Sequence, residues 1–428
     1  MSSNDREYEL VIFGATGYTG KLTAEHVATH LPTDLRWALA GRSSSKLEAV
    51  AAECKTLNPD RLQPAIEICN LDDAELSALA KKTKVILATV GPYALHGERC
   101  FKACAENGTH YLDVTGEVPW VAEMIKKYEN TAKASGSILI PQCGIESALV
   151  DMITWYAVDA VREKFSAPTG EVIVSLHEMR SDITARLYSH RLIHLRSRPS
   201  GGTLETVFTL LEVFSFKQIK AAMTPYALSP IPGPKALPSK SLITKITGIK
   251  VVPGLGILTT SLAGSTDLAL LHRSWGLSSG SGFYGPNFKI EEYMKSRNYF
   301  TALAIHFGVI LGGLFLAIPF FRHTARKYVY QPGEGATKEQ AKNDRVEFRV
   351  IAKPDNGQAN PPRMFCREYY EGPIYGLTGL LIAQGAISLL RDDHKLSGGI
   401  YTPSSLGKKY INRLQSANVI FDKKVCEN

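Results

Sequence analysis

Three glycines, Gly14, Gly17 and Gly20, punctuate the run Leu10-Val-Ile-Phe-Gly-Ala-Thr-Gly-Tyr-Thr-Gly20. Glycine at such spacing lets backbone N–H groups turn sharply and approach a phosphate closely. The apolar residues before the turn read as a buried strand. Lys21–His30 after it reads as a helix whose N-terminus carries partial positive charge. Strand, glycine turn and helix make up the pyrophosphate cradle of a dinucleotide-binding fold. The residues expected to hold the cofactor are Gly14, Ala15, Thr16, Gly17, Tyr18, Thr19 and Gly20. The spacing is GxxGxxG rather than GxGxxG, so the competing reading is a glycine-rich turn that binds nothing.

The next apolar strand, Arg36–Ala40, runs into Gly41-Arg42-Ser43. An NAD site places an acidic side chain near this point to bind the ribose diol. No Asp or Glu stands here, whereas Arg42 and Ser43 suit a 2′-phosphate, so the expected cofactor is NADP(H). A solvated Arg42 beside a helix-capping Ser43 is the alternative. Further strands follow at Ala65–Cys69, Lys84–Val90, His110–Val114 and Ser137–Pro141, separated by helical stretches. The pattern is α/β, with an N-terminal doubly wound parallel sheet of the Rossmann type.

Ligands in such sheets sit outside the carboxyl ends of the strands. That nominates Gly91–Tyr93, Asp113–Glu117 and Gln142–Glu146 as walls of a reaction site, with Gly91 beside the nicotinamide ribose. Asp72 meets the adenine or caps the helix that starts at Asp73. Tyr93 is the candidate catalytic donor or acid, with packing under the nicotinamide as its other role. Glu117 orients a ribose or a water, or caps a helix. Cys143 lines the pocket as a neutral thiol.

The 428 residues suggest two domains, and the net charge of +8 is spread out rather than arranged as an aromatic-interleaved basic stripe, which argues against nucleic acid. Seven cysteines in a long chain point to a reducing compartment, and no signal-peptide core occupies the first thirty residues. Cys100 and Cys104, with His96 and His110 nearby, fit no zinc spacing; they read as the packed face of a helix, and no metal is expected. His190 and His194 lie in the cationic run Arg186–Arg198, a solvated face or a contact for an anionic substrate carrier. The proline-rich stretch Ala227–Pro238 reads as a surface loop or lid, and Gln331–Asp344 as a mobile loop.

Phe300–Phe321 is 22 residues long with His306 as its only ionisable side chain, and basic residues flank both ends. It is long enough to span a bilayer. Two strands, Arg345–Ala352 and Arg363–Tyr370, and an apolar helix over Ile374–Leu390 follow it. If these share a globule with the first 180 residues, one span would split the fold. Attachment to one leaflet or a lipid surface is then expected, with Val251–Leu271 as a companion surface. A buried core or dimer helix and a true span are the alternatives.

Several phrases together resemble the saccharopine dehydrogenase-like oxidoreductases: Gly14–Gly20 with Ala40-Gly-Arg42; Gly91-Pro-Tyr93 through Gly108-Thr-His-Tyr-Leu-Asp113-Val-Thr-Gly-Glu117; Ser200–Thr203; and Gly398-Gly-Ile-Tyr-Thr-Pro403. Within that group the chain looks most similar to the branch of trans-acting enoyl reductases and a lipid-droplet-associated animal member. The resemblance implies a Rossmann domain at residues 1–150 and a second, substrate domain at 151–371 built on a mixed sheet. It also implies a C-terminal helical segment, 372–428, returning to the first domain. Hydride transfer from NADPH to an enoyl thioester or similar lipid or polyketide-type substrate is the implied reaction; the expected place is the cytoplasmic side of a membrane or lipid droplet, or else the cytoplasm, with a homodimer as one expected assembly. Two departures stand out: Gly144–Asp151 lacks the prolines of saccharopine-forming enzymes, and Gly372-Pro-Ile-Tyr-Gly376 lacks the acid of the enoyl reductase phrase. The remaining alternatives are a non-catalytic NADP(H)-binding protein of lipid surfaces, and a reductase of a keto or imino metabolite.

Overall fold

A computed structural model of the chain describes residues 6–180, 195–196, 201–234, 240–279, 282–326 and 338–426. Its first half alternates strand and helix: β1 (Tyr8–Phe13), α1 (Tyr18–His30), β2 (Trp37–Gly41), α2 (Ser44–Leu57), β3 (Ala65–Ile68), α3 (Asp73–Lys82), β4 (Thr83–Ala88), α4 (Tyr93–Glu106), β5 (His110–Asp113), α5 (Val118–Ser135) and β6 (Ile138–Ile140). A long helix, α6 (Ile145–Phe165), leads into the second half. There follow β7 (Thr169–Arg180), β8 (Leu195–Arg196), α7 (Gly201–Val213), α8 (Phe216–Ala222), α9 (Leu242–Thr247), β9 (Lys250–Val252), β10 (Gly256–Thr260), α10 (Gly264–Leu277) and β11 (Lys289–Lys295). The chain ends with α11 (Tyr299–Ala317), α12 (Pro319–Arg326), α13 (Lys338–Ala341), β12 (Arg345–Pro354), β13 (Arg363–Glu371), α14 (Ile374–Arg391), β14 (Gly399–Ile400), α15 (Gly407–Ser416) and β15 (Ile420–Cys426).

The first sheet is parallel throughout, in the order β14-β6-β5-β4-β1-β2-β3. Every residue of β1 is buried, because helices cover both faces; this is why the strand reads as an unbroken apolar run. The second sheet is mixed, in the order β15-β13-β12-β7-β11-β10-β9, with β8 beside β7. The expected fold class is therefore the observed one.

The boundaries are more interwoven than the sequence suggests. Residue 150 lies inside α6, which packs on β12 and β13, so the helix that leaves the first sheet roofs the second. α14 does return to the first domain, crossing α1. The segment after it serves both domains: β14 extends the first sheet beside β6, and β15 closes the open edge of β13.

Two surface expectations also sharpen. The described part of the proline-rich stretch, residues 227–234, is a surface loop held, with the preceding Tyr226, against α10. Tyr226 stacks on His272 at 4.0 Å, and Arg273 donates to the Leu228 carbonyl at 2.7 Å. Val251–Leu271 is not one continuous apolar surface: it divides into β9, β10 and the buried start of α10, with Val251 and Leu262 as its exposed large side chains. His190, His194 and residues 327–337 lie outside the described residues.

α11 touches the globule at its beginning. Thr259 Oγ1 donates to the Ala302 carbonyl at 2.7 Å, and Thr260 Oγ1 bonds His306 Nδ1 at 2.8 Å. α12 then folds back, with Phe315 and Phe321 ring centroids 4.2 Å apart, and Arg326 pairs with Glu205 and Glu212 of α7. The strands on either side of this excursion, β11 and β12, both pair with β7. The chain thus leaves and rejoins one domain on one side. A single crossing by α11 does not fit that connectivity, and the eight residues of α12 are too few to cross back.

Candidate functional site

At the carboxyl end of β1 the backbone turns at Gly14, whose φ of +91° lies in the region glycine favours. Gly17 is the N-cap of α1, and no side chain caps that helix. Its first N–H groups are thus left for a ligand, as a phosphate cradle requires. A Cβ at Gly20 would stand 2.2 Å from the Gly14 carbonyl oxygen, so the turn closes this tightly with glycine alone. Ala15 is buried beneath it, while Thr16, Tyr18 and Thr19 are half exposed.

Arg42 extends from the end of β2, exposed and without a hydrogen bond to any described residue, and the neighbouring α2 starts at Ser43 with no side-chain cap. A free guanidinium beside an uncapped helix fits a 2′-phosphate. The residues present therefore fit an NADP(H) molecule. Asp72 takes the capping role, accepting from Ala74 N at 2.9 Å and Glu75 N at 3.1 Å.

The three nominated loops do converge at the carboxyl ends of β4, β5 and β6. Gly91 is exposed at the rim, but Tyr93 points inward: its hydroxyl donates to the Ala88 carbonyl at 2.8 Å and accepts from Val114 N at 3.3 Å. Burial, reinforced by the Asp113 charge, raises its pKa well above the ordinary phenol value. The packing role is the one this geometry supports, since a buried phenol already bonded on both sides has no proton to offer a ligand. Glu117 is a cap in an unexpected place. Its carboxylate reaches across to α4 and accepts from Tyr93 N and Ala94 N, both at 2.7 Å. Burial pushes its pKa up, and those two bonds pull it down.

Asp113 accepts from Tyr111 Oη, Thr115 N and Gln142 N, each at 2.9 Å; burial outweighs these donors and raises its pKa to about 7. Gln142 adopts φ +65°, a costly conformation for this residue, and its buried Nε2 has no hydrogen-bond partner among the described residues. An orphaned amide at the end of β6 is a donor kept for a ligand. Cys143 is a buried thiol whose pKa is raised well above the usual value by burial, consistent with the expected neutral state. Cys100 and Cys104 are likewise buried, on the packed face of α4.

Two features of the site were not apparent in the sequence. First, α6 and α14 also begin here, and neither has a side-chain cap. Ile145 N donates to Thr378 Oγ1 at 3.4 Å, and the Tyr375 ring stands 5.3 Å from that of Tyr18 on α1. The phrase Gly372-Pro-Ile-Tyr-Gly376 marked the α14 start, although its meeting with α1 depends on the tertiary fold. Second, the facing domain sets two buried carboxyls near Glu146, itself one of the nominated wall residues. Glu146 stands at the rim with Oε2 3.6 Å from the Cβ position of Gly116. Within its electrostatic reach are Asp267 of α10 and Glu292 of β11, both buried; Ser261 Oγ donates to Glu292 Oε1 at 2.8 Å. Burial, and then repulsion from Glu292, drives the pKa of Asp267 up, and burial does the same for Glu292.

Residues 10–140 match the saccharopine dehydrogenase NADP binding domain. Over 98% of this chain and 98% of theirs, trans-acting enoyl reductases are similar to it, at 28% identity for that of Mycobacterium bovis and 29% for that of Mycobacterium leprae. Among solved structures, saccharopine dehydrogenase (L-Glu forming) from Saccharomyces cerevisiae shares the fold with a TM-score of 0.57. That likeness comes at 10% identity and covers 98% of this chain and all of that one. The homospermidine synthase of Legionella pneumophila, solved with NAD, gives a TM-score of 0.51 at 8% identity, covering 98% of this chain and 92% of that one. The cradle, the two-sheet architecture and these similarities point to an oxidoreductase whose N-terminal domain is similar to the saccharopine dehydrogenase NADP binding domain and binds NADP.

Proposed function

We propose that the chain is an NADPH-dependent reductase of an activated alkene on an acyl or lipid-type substrate, working at a lipid surface. The observation that carries the reductase reading is the similarity to trans-acting enoyl reductases along nearly the whole chain. Bound NADPH would supply the hydride for the β-carbon. The protein then has to place the substrate, stabilise negative charge on the acyl oxygen and deliver a proton to the α-carbon. Arg42 would hold the 2′-phosphate and the Gly14–Gly20 turn the pyrophosphate. The uncapped starts of α6 and α14 and the Gln142 amide are donors at the site for the developing oxyanion. Burial raises the pKa of both Asp267 and Glu292, and Glu146 at the rim lies within their electrostatic reach, so these carboxyls are the proposed proton source. The acidic lining disfavours an amino-dicarboxylate substrate, which would need cations there.

Surface attachment rests on α11, which is 19 residues long with mean hydropathy 2.1 and only 11% of its apolar window buried, while both its flanks stay in one domain. The test is NADPH consumption by the purified chain against enoyl thioesters, ketones and imines. Turnover with enoyl thioesters is expected; turnover with imines alone would replace this reading by an imine reductase, and no turnover with any acceptor would leave a non-catalytic binder.

A further inference from the structure

Where α9, β9 and the start of α11 meet, a cavity of about 440 Å³ is lined by Lys240, Ser241, Thr244, Lys250, Glu291 and Tyr293. Two ammonium groups converge on a single ring: Lys240 Nζ lies 5.1 Å and Lys250 Nζ 5.6 Å from the Tyr293 centroid. Glu291 accepts from Lys250, but Lys240 makes no ion pair among the described residues. Lys250 is paired directly with Glu291, whereas Lys240 is offset at a distance by the buried Glu292 and by no direct ion pair among the described residues, so its ammonium is left to face the partly enclosed space. Such a site favours an anion. The Ser241 and Thr244 hydroxyls, 2.9 Å apart, add polar groups to the same wall.

The cavity opens beside an apolar face. α9 presents Leu242, Ile243 and Ile246 at 73%, 71% and 60% exposure, and Tyr299 and Phe300 at the head of α11 are also exposed. The two helices are neighbours, since a Cβ at Gly248, just past α9, would stand 2.4 Å from His306 Nδ1 of α11. Apolar side chains from two separate elements are thus turned outward around one cationic cavity. An interfacial protein needs this combination: apolar area for affinity and cations at headgroup depth for lipid selectivity.

We propose that this cavity binds the phosphate-bearing headgroup of an anionic phospholipid while α9 and α11 lie in the lipid interface. The proposal rests on the surface attachment argued above and adds its selectivity. The test is flotation of the full chain with vesicles of phosphatidylcholine alone, and of phosphatidylcholine containing phosphatidic acid. The wild-type chain is expected to bind both and to prefer the anionic vesicles. Lys240→Gln should lower anionic binding roughly five-fold and Lys240→Glu further, with phosphatidylcholine binding and NADPH affinity unchanged. Unaltered preference for anionic vesicles in Lys240→Glu would overturn the headgroup site and leave surface attachment standing. Failure of the wild-type chain to bind either vesicle would overturn both. Inorganic phosphate alone should not shift the melting temperature; a shift abolished by Lys240→Gln would reassign the cavity to a free phosphate.

Discussion

Among the described residues two helices are apolar and long enough to cross a membrane, and the fold treats them in opposite ways. α14, with mean hydropathy 1.3, is 78% buried across its apolar window; α11, with mean hydropathy 2.1, is 11% buried. Close approach makes the difference. At Gly379 a Cβ would come within 2.9 Å of the Leu22 and Thr23 backbone, so α14 presses directly onto α1. Gln384 of α14 bonds His26 at 3.2 Å, giving a buried amide its partner. The glycines of α11, Gly308, Gly312 and Gly313, have nothing within 4 Å of a Cβ position. The more apolar helix is the one left bare, which a soluble core would not tolerate without another surface to cover it.

Paired truncations should separate the two helices most widely. Leu381 of α14 is fully buried and Leu311 of α11 is 57% exposed. Leu381→Ala should cost about 2–5 kcal/mol in denaturant unfolding, and Leu311→Ala less than about 0.5 kcal/mol. Equal losses would mean that α11 is packed in solution and would erase the contrast.

The buried side of the molecule should also carry a pH signature. Asp151 of α6 accepts from Ser274 Oγ at 2.7 Å and Ser404 N at 2.8 Å, and burial raises its pKa to about 6. A carboxyl whose folded pKa lies above its unfolded value binds its proton more tightly when folded. Its stabilisation is complete below the unfolded value near 4 and is lost as pH rises through about 6. Asp151→Asn should flatten stability between pH 4 and 6 by about 3 kcal/mol, read from unfolding curves across that range. An unchanged pH profile would show that the carboxyl is hydrated.

Arg42, like the outer length of α11, is exposed, and it has no hydrogen bond to any described residue, so its loss should cost function and not stability. Arg42→Ala should weaken NADPH binding roughly 10- to 100-fold, as for lost charge-assisted hydrogen bonds, with NADH affinity and melting temperature preserved. Equal weakening for both nucleotides would place Arg42 on the adenine instead. Tyr93 resembles α14. Tyr93→Phe removes the bonds to Ala88 and Val114 and should cost about 1 kcal/mol of stability while turnover persists. Lost turnover at full stability would restore Tyr93 as the acid.

Much of the site was legible because its signals are local. The glycine turn, Arg42 at the end of the second strand, and the loops after β4, β5 and β6 all follow from period and spacing. Capping by Glu117 was expected for the helix it precedes, whereas the carboxylate caps α4, more than twenty residues earlier in the chain. The Asp267–Glu292 pair carried no signal, because its members come from α10 and β11 and meet through packing. α9, six residues long and flanked by undistinguished sequence, became visible as an apolar element when its exposure was seen.

The sequence by itself determined the alternation of strand and helix, the parallel first sheet and the phosphate-binding turn. These depend on backbone stereochemistry and on contacts between near neighbours, which side-chain order encodes directly. The tertiary structure decided which apolar helix is covered, which way Tyr93 faces, and that the last strand closes the second sheet. Each of these depends on desolvation by residues far away in the chain, and no local pattern records that.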